Sequence, residues 1–163
     1  MSENNALLDI FHVIPWFQQL SEDHIGLLAD FSHLVEIPQG KDLFKEGDKE
    51  DFLYVVVNGR IAIEIMFPGR GRVSIYTAEP MDVVGWSSVT PVVRQRTASA
   101  RAVLDSRLIA MDAGALRRLC EGDCALGCVV MRRIANVVAQ RLLVTRLQLL
   151  DLFANPGDVK VHA

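Results

Sequence analysis

The chain has 163 residues, of which half are hydrophobic and 23% are charged, and this is the size and composition of a folded globular domain. A net charge of −3 and a pI near 5.8 exclude the basic surface that direct nucleic-acid binding requires. No apolar run approaches the roughly 20 residues that span a bilayer, and the N-terminus lacks a signal-peptide pattern, so we expect a cytoplasmic protein without membrane contact.

The first part of the chain has the apolar spacing of amphipathic helices. Two helices are predicted within residues 6–32, because two apolar groups there follow helical spacing: Leu7, Leu8, Phe11, Ile14 and Phe17, then Ile25, Leu27, Leu28 and Phe31. Pro15 is expected to break or bend the first helix, since proline has no N–H to donate. Ser21, followed by acidic residues, has the pattern of a helix N-cap.

Residues 33–112 change to short β-type runs separated by turn signals about every 8–12 residues, which is typical of a sandwich or barrel. The runs lie at 33–37, 42–44, 52–57, 61–66, 73–76, 97–103 and 107–111. Asn58-Gly59 predicts a two-residue hairpin with a type I′ turn between the runs at 52–57 and 61–66. Pro68-Gly69-Arg70-Gly71 joins the run at 61–66 to the run at 73–76. The fold class is therefore predicted to be mainly β, an eight-stranded jelly-roll-like β-barrel with N-terminal helices and a long C-terminal helix.

Residues 113–153 are predicted to be helical. A short helix at 113–120 is interrupted by Glu121-Gly122-Asp123, and Asp123 starts a long helix that runs to about Phe153. Apolar residues recur along this helix with the alternating spacing of a coiled-coil seam: Cys128, Met131, Ala135, Val138, Leu142, Thr145, Leu149 and Leu152. Other apolar residues lie on a second face: Val130, Ile134, Val137, Val144, Leu147 and Leu150. One face can cover the barrel while the other meets a second copy, which predicts a homodimer through the 123–153 helix.

Neither the cysteines nor the histidines have the spacing of a metal or catalytic site. A spacing of four places Cys120, Cys124 and Cys128 along one helical stripe, where we expect them to pack on a buried face. The histidines show no ligand spacing: His12, His24, His33 and His162. We therefore expect no metal site, no catalytic residue and no enzymatic activity.

One stretch in the barrel region combines groups that bind a small anion. Gly85 opens a run of backbone donors and small hydroxyls that includes Ser87 and Ser88. N–H groups at a helix start carry partial positive charge, and the guanidinium of Arg96 offers a bidentate fork for phosphate oxygens. Thr97 can add a hydroxyl donor. The sequence predicts a concave site for a small phosphate-like anion.

Motifs distributed along the chain point to one known family. They are Ile14-Pro15-Trp16-Phe17, Leu20-Ser21, Pro38-Gln39-Gly40-Lys41, Phe44-Lys45-Glu46-Gly47-Asp48, Leu53-Tyr54-Val55-Val56 and Asn58-Gly59-Arg60. Together they resemble the cyclic nucleotide-binding domain of the catabolite-activator type. The resemblance implies one domain over residues 1–163 with a phosphate cassette at 85–99, in which Gly85, Ser87-Ser88 and Arg96-Thr97-Ala98-Ser99 hold the ligand phosphate. Arg94 and Arg101 fall outside the cassette spacing and are expected to be surface charges.

Trp86 departs from the family pattern. The resemblance implies a glutamate here, whose carboxylate accepts a hydrogen bond from a ribose 2′-hydroxyl, whereas an indole has one donor and no acceptor. Losing a charge-assisted hydrogen bond costs about 1.5–3 kcal/mol, or about a ten- to hundredfold loss of affinity. The indole can fill part of the sugar pocket or stack on a flat ligand, and nucleotide specificity is predicted to be altered or lost.

The long helix supplies a further comparison. Arg141-Leu142-Leu143-Val144-Thr145 is similar to the family segment whose threonine and following serine reach the adenine base, but Arg146 replaces the serine. Thr145 also lies on the predicted seam, so a ligand contact and a role in setting dimer register both stay open. Family transcription regulators carry a helix-turn-helix domain after this helix. The sequence ends ten residues after Phe153, so a stand-alone domain is expected.

Two functions follow from these patterns. The first is a regulatory domain that binds a small anionic ligand, cyclic AMP or a related phosphorylated compound, and relays this through the C-terminal helix to a protein partner that the sequence does not identify. The alternative is a nucleotide-blind dimeric interaction scaffold whose pocket is filled by Trp86.

Overall fold

The computed structural model describes residues 3–49, 51–90, 92–93 and 95–154, so Arg94 and His162 lie outside the described residues. Helix α1 spans Glu3–Val13 and helix α2 spans Glu22–Asp30. Helix α1 ends two residues before Pro15, which agrees with the prediction that Pro15 breaks this helix. The side chain of Ser21 accepts a hydrogen bond from the backbone N–H of His24 at 3.2 Å, which confirms the predicted N-cap.

Eight strands form the middle of the chain. They are β1 (Ser32–Ile37), β2 (Asp42–Phe44), β3 (Phe52–Asn58), β4 (Ile61–Phe67), β5 (Gly71–Ala78), β6 (Val83–Val84), β7 (Ser99–Ala102) and β8 (Ser106–Asp112). Two antiparallel four-stranded sheets result, with strand orders β1-β8-β3-β6 and β2-β7-β4-β5. This confirms the eight-stranded jelly roll. The pattern of runs did not locate β6, because two residues are too few to show alternation.

The predicted hairpin at Asn58-Gly59 is wrong. Strand β3 pairs with β8 and β6, whereas β4 pairs with β5 and β7, so the chain crosses from one sheet to the other at this point. Gly59 has φ 91°, but Asn58 does not have the positive φ that a type I′ turn needs. A Cβ at Gly59 would lie 2.2 Å from Oγ of Ser106, so close packing requires the glycine. The β4–β5 hairpin at 68–71 is as predicted.

Two apolar clusters lie on opposite faces of the first sheet. Successive side chains of a strand point to opposite faces, so Leu53 of β3 packs against the helices while Val56 packs between the sheets. Both faces of β3 and β8 are therefore buried. The helix-side cluster contains the largest fully buried side chains, including Phe11, Phe17 and Leu28. Each such side chain contributes about 1.5–3 kcal/mol of burial free energy, and this fixes the helices on the barrel.

The C-terminal helices are α3 (Ala113–Gly122) and α4 (Cys124–Ala154). Asp112 caps α3 by accepting from the N–H of Ala115 at 2.6 Å. Asp123 caps α4 by accepting from the N–H of Leu126 at 3.0 Å, which agrees with the predicted helix start. Nε2 of His24 lies 2.8 Å from Oδ2 of Asp123, so the same residue joins α2 to the start of α4.

Helix α4 has a covered face and an uncovered face. Val130 and Ile134 are buried in the helix-side cluster. Much of the predicted seam is exposed in the single chain, with Met131, Leu142 and Leu149 exposed by 39%, 57% and 48%, although Val138 packs against the helix-side cluster. On the second predicted face, Leu147 and Leu150 are exposed as well, so the end of that face does not cover the barrel. None of the described helices is both long and apolar enough to cross a membrane.

The prediction of one buried cysteine stripe is wrong. Helix α3 ends before α4 begins, so Cys120 lies on one helix and Cys124 and Cys128 on the next, where a spacing of four no longer defines a shared face. Cys124 and Cys128 are exposed. Burial raises the pKa of the half-buried Cys120 thiol to about 11, which keeps it protonated at neutral pH.

Candidate ligand-binding site

A cavity of about 220 Å³ lies between the barrel and helix α4. Its walls come from the second sheet, from β6 and the turn after it, from the segment before β7, and from α4. The lining residues are Phe44, Ile63, Ile75, Tyr76, Val83, Val84, Gly85, Trp86, Ser87, Arg96, Thr97, Ala98, Arg141, Val144 and Thr145. This lining holds two arginines and no aspartate or glutamate, so its charge favours an anion.

The turn after β6 needs its glycine. Gly85 has φ 78°, in the left-handed region, and the single 3-10 turn Trp86–Val89 follows it. A Cβ at Gly85 would lie 2.3 Å from Nη1 of Arg96 and 3.3 Å from the carbonyl oxygen of Phe52. Both the backbone conformation and the close approach of the arginine therefore require glycine.

Arg96 points into the protein. Its side chain is buried, with the residue 4% exposed. Nη2 donates to the carbonyl oxygen of Phe52 at 2.6 Å, and Nη1 donates to that of Gly85 at 3.3 Å. The guanidinium also lies 4.1 Å from the ring centroid of Phe44. The structure thus places Arg96, which the sequence predicts to bind the ligand, in the cavity wall, and Thr97 follows it on the lining.

The two serines of the turn have different positions. Ser87 lines the cavity, but the structure does not bring Ser88 to it. The backbone N–H of Ser88 donates to Gly85 at 3.1 Å, and its hydroxyl donates to the same carbonyl oxygen at 2.8 Å. Its own carbonyl oxygen accepts from Arg117 of α3. The predicted donors of Ser88 are thus used in closing the turn and in holding α3 beside it.

A second arginine was missed by the sequence reasoning. Arg141 of α4 donates from Nη2 to the carbonyl oxygen of Val83 at 3.3 Å, and its guanidinium carbon lies 3.0 Å from the ring centroid of Tyr76. Burial lowers the pKa of Arg141 from its ordinary value. The sequence places Arg141 in the 141–145 segment, but only the tertiary contact between α4 and β5 reveals its place in the cavity.

Trp86 forms part of the wall. The indole is half-buried and packs against the helix-side apolar cluster, and a cavity remains beside it. The scaffold alternative requires a pocket filled by Trp86, and the open volume contradicts it.

Thr145 also reaches the cavity, although it is exposed. Its Oγ1 donates to the carbonyl oxygen of Arg141 at 2.9 Å, within α4. The oxygen of this hydroxyl can still accept a hydrogen bond. The residue therefore lies on both the cavity rim and the uncovered seam.

Residues 34–123 match the cyclic nucleotide-binding domain family. The chain belongs to the cyclic nucleotide-binding domain family. Its members are regulatory domains of signal transduction, and the jelly roll with flanking helices is their fold.

Proteins similar in sequence to this chain include transcription regulators. The chain is 31% identical over 146 residues to the CRP-like cAMP-activated global transcriptional regulator of Mycobacterium tuberculosis, covering 88% of this chain and 62% of that one. The chain thus spans about three fifths of that relative. Two structures are similar as well: the Thermus thermophilus catabolite activator protein (28% identity, TM-score 0.64, covering 86% of this chain and 63% of that one) and the N-terminal domain of a Streptomyces coelicolor transcriptional regulator (26%, 0.63, 84% and 94%).

Arg101 is a surface charge, as predicted, with its side chain 42% exposed, but it also pairs with a buried carboxylate. Its Nε lies 3.2 Å from both carboxylate oxygens of Glu64, which is only 3% exposed, so the pair joins β7 to β4. Arg72 approaches the same carboxylate at 3.6 Å. Within the described ranges, no group of three His, Cys, Asp or Glu side chains could hold a metal ion.

Proposed function

We propose that this chain is a ligand-sensing regulatory domain that binds a small anionic, cyclic-nucleotide-like ligand in the cavity between the barrel and α4. The observation that carries the proposal is the lining itself, which includes two arginines and no carboxylate. A phosphate would lie against Gly85, Ser87, Arg96 and Thr97, because a guanidinium and nearby hydroxyls are preferred donors to phosphate oxygens. Thr145 would contact the ligand from α4.

The same lining suggests how the ligand acts. Because α4 supplies Arg141, Val144 and Thr145, a bound ligand touches the barrel and the helix at once. A ligand shifts a conformational equilibrium only through different contacts in the two states, and this arrangement supplies such contacts. We propose that occupancy changes the position of α4 and its dimer contacts. A partner protein in the cytoplasm would detect that change, without catalysis and without direct nucleic-acid contact.

Calorimetry tests ligand binding directly. The protein is titrated with cyclic AMP, cyclic GMP and other phosphorylated metabolites, and at least one is expected to bind with Kd below about 1 mM. Thr97→Val should weaken that binding about two- to tenfold by removing one hydroxyl donor. Thr77→Val is the matched control, because Thr77 is exposed on β5 and does not line the cavity. Absence of binding by every phosphorylated compound at millimolar concentration contradicts the proposal.

Indole fluorescence provides an independent test. Trp16 lies buried beside Phe17, and Trp16→Phe leaves Trp86 as the sole tryptophan of the chain. Ligand in the cavity should change the emission of Trp86, since the indole is part of the wall. An unchanged spectrum at a ligand concentration that saturates the calorimetric signal places the ligand elsewhere.

The dimer through α4 is tested by mass in solution. Leu142→Lys places a charge on the exposed seam and should shift a dimer toward monomer, as measured by light scattering after gel filtration. Leu104→Lys is the matched control, because Leu104 is 46% exposed and lies in the turn between β7 and β8. An unchanged mass for Leu142→Lys, or a monomeric wild type, rejects this interface.

A further inference from the structure

Trp86 lies beside the position proposed for the phosphate. It stands between Gly85 and Ser87 in the chain, and all three residues line the cavity. The indole is half-buried and packs against the helix-side apolar cluster, and this packing holds it at the wall. In a 3′,5′-cyclic nucleotide the phosphate and the sugar belong to one fused ring system. A phosphate held at this turn therefore brings the sugar, with its free 2′-hydroxyl, next to the indole.

The backbone carbonyl oxygens on either side of Trp86 already have hydrogen-bond donors. The oxygen of Gly85 accepts from the N–H and from the hydroxyl of Ser88, at 3.1 Å and 2.8 Å. The oxygen of Ser87 accepts from the N–H and from the hydroxyl of Thr90, at 3.0 Å and 2.8 Å. A carbonyl oxygen has two lone pairs, so neither of these oxygens has one left to accept from a ligand hydroxyl.

The side chains of the described lining include no aspartate, glutamate, asparagine or glutamine, so their oxygen acceptors are hydroxyls. These hydroxyls belong to Tyr76, Ser87, Thr97 and Thr145. That of Tyr76 bonds to Asp82 at 2.7 Å and that of Thr145 bonds within α4, while the other two lie at the proposed phosphate position. None of them is at position 86, where the indole has one donor and no acceptor. A sugar hydroxyl beside Trp86 therefore loses the acceptor that water provides.

We infer that the cavity selects a nucleotide-like ligand without a free hydroxyl beside its phosphate, as in a cyclic 2′-deoxynucleotide. This inference rests on the proposed function, and it specifies the sugar of the ligand. A hydroxyl that leaves water without finding an acceptor weakens binding. A CH₂ group in the same place gains from contact with the apolar indole. Trp86 is thus a specificity-determining residue that disfavours ribose.

The test compares two compounds that differ by one oxygen atom, cyclic AMP and 2′-deoxy cyclic AMP, by calorimetry. The deoxy compound is expected to bind at least about fivefold more tightly, which corresponds to the cost of one buried donor without a partner. Equal or tighter binding of cyclic AMP overturns the inference and leaves the sensing function intact. If neither compound binds, the inference is overturned, and the sensing function fails as well only when no other phosphorylated metabolite binds.

Trp86→Gln and Trp86→Phe form a matched pair, because both remove the indole and only glutamine brings an oxygen acceptor. Trp86→Gln should lower the preference for the deoxy compound by at least about fivefold, whereas Trp86→Phe should keep the wild-type preference. Thermal melts followed by circular dichroism establish that each variant folds. The same preference in both variants overturns the role given to Trp86. If either variant fails to fold, the comparison of the two compounds on the wild-type protein decides.

Discussion

Gly85 and Arg96 are in such close contact that the arginine occupies the space where a side chain at position 85 would begin. The gap between an ideal Cβ and Nη1 of Arg96 would be 2.3 Å. The glycine therefore fixes the guanidinium against the carbonyl oxygens of Gly85 and Phe52, at the wall of the cavity. The geometry of the proposed anion site depends on the absence of a side chain at position 85.

Gly85→Ala is expected to displace the guanidinium of Arg96 and to weaken binding of any phosphorylated ligand by at least about tenfold, the value of one charge-assisted contact. Gly69→Ala is the control, because Gly69 has a similar φ of 79° and nothing within 4 Å of its Cβ position. Both variants carry about 1–2 kcal/mol of backbone strain, and Gly85→Ala should lose more stability because its Cβ also collides with the guanidinium of Arg96. Equal ligand affinity in the two variants contradicts the role given to Gly85.

Stability should fall as the pH rises from about 10 to about 12. Burial, together with the hydrogen bond to Asp82, raises the pKa of Tyr76 from 10.0 to about 12. The folded state therefore keeps a proton that the unfolded chain releases, so this contribution is complete below pH 10 and is lost as the pH passes through the folded value. Urea unfolding at several alkaline pH values measures the slope. Tyr76→Phe should reduce that slope, and an unchanged slope excludes Tyr76 as its source.

Gly59→Ala should destabilise the protein more than Gly40→Ala. Both glycines have positive φ, 91° and 82°, so both substitutions carry about 1–2 kcal/mol of backbone strain. Only the Cβ at position 59 meets other atoms, Oγ of Ser106 and the carbonyl oxygen of Asp105 at 2.6 Å. Free energies of unfolding from urea titration make the comparison. Similar losses for both variants show that the sheet crossing can relax around a methyl group.

Arg101→Met should cost about 1–3 kcal/mol, because it removes a charged hydrogen-bond partner from the buried carboxylate of Glu64. Arg60→Met is the control, since the Arg60–Glu79 pair at 3.3 Å has both side chains more than half exposed. An exposed pair contributes about 0–1 kcal/mol. A loss at position 101 no larger than that at position 60 means that Arg72 compensates fully.

Local chemistry made much of the fold and part of the site predictable from the sequence. Ser21 was recognisable as a helix cap and Asp123 as a helix start, because a cap bonds to N–H groups two or three residues away. Arg96 and Gly85 were recognisable because the glycine and the arginine of the proposed anion site lie within one short stretch of sequence. The alternation of apolar residues likewise marked all the strands except β6.

Only the tertiary structure decided the features that depend on contacts between residues far apart in the sequence. Asn58-Gly59 has the residues of a hairpin, yet the partners of β3 and β4 lie elsewhere in the chain, and the turn became a crossing between sheets. Arg141 lies at the cavity because α4 packs beside Tyr76. The hydroxyl of Ser88 instead donates to the carbonyl oxygen of Gly85 within its own turn. The sequence by itself indicated the helices and all strands except β6 to within a few residues, since those signals act over a few residues. The pairing of strands and the second cation of the cavity required the folded chain, because burial joins residues that no local spacing relates.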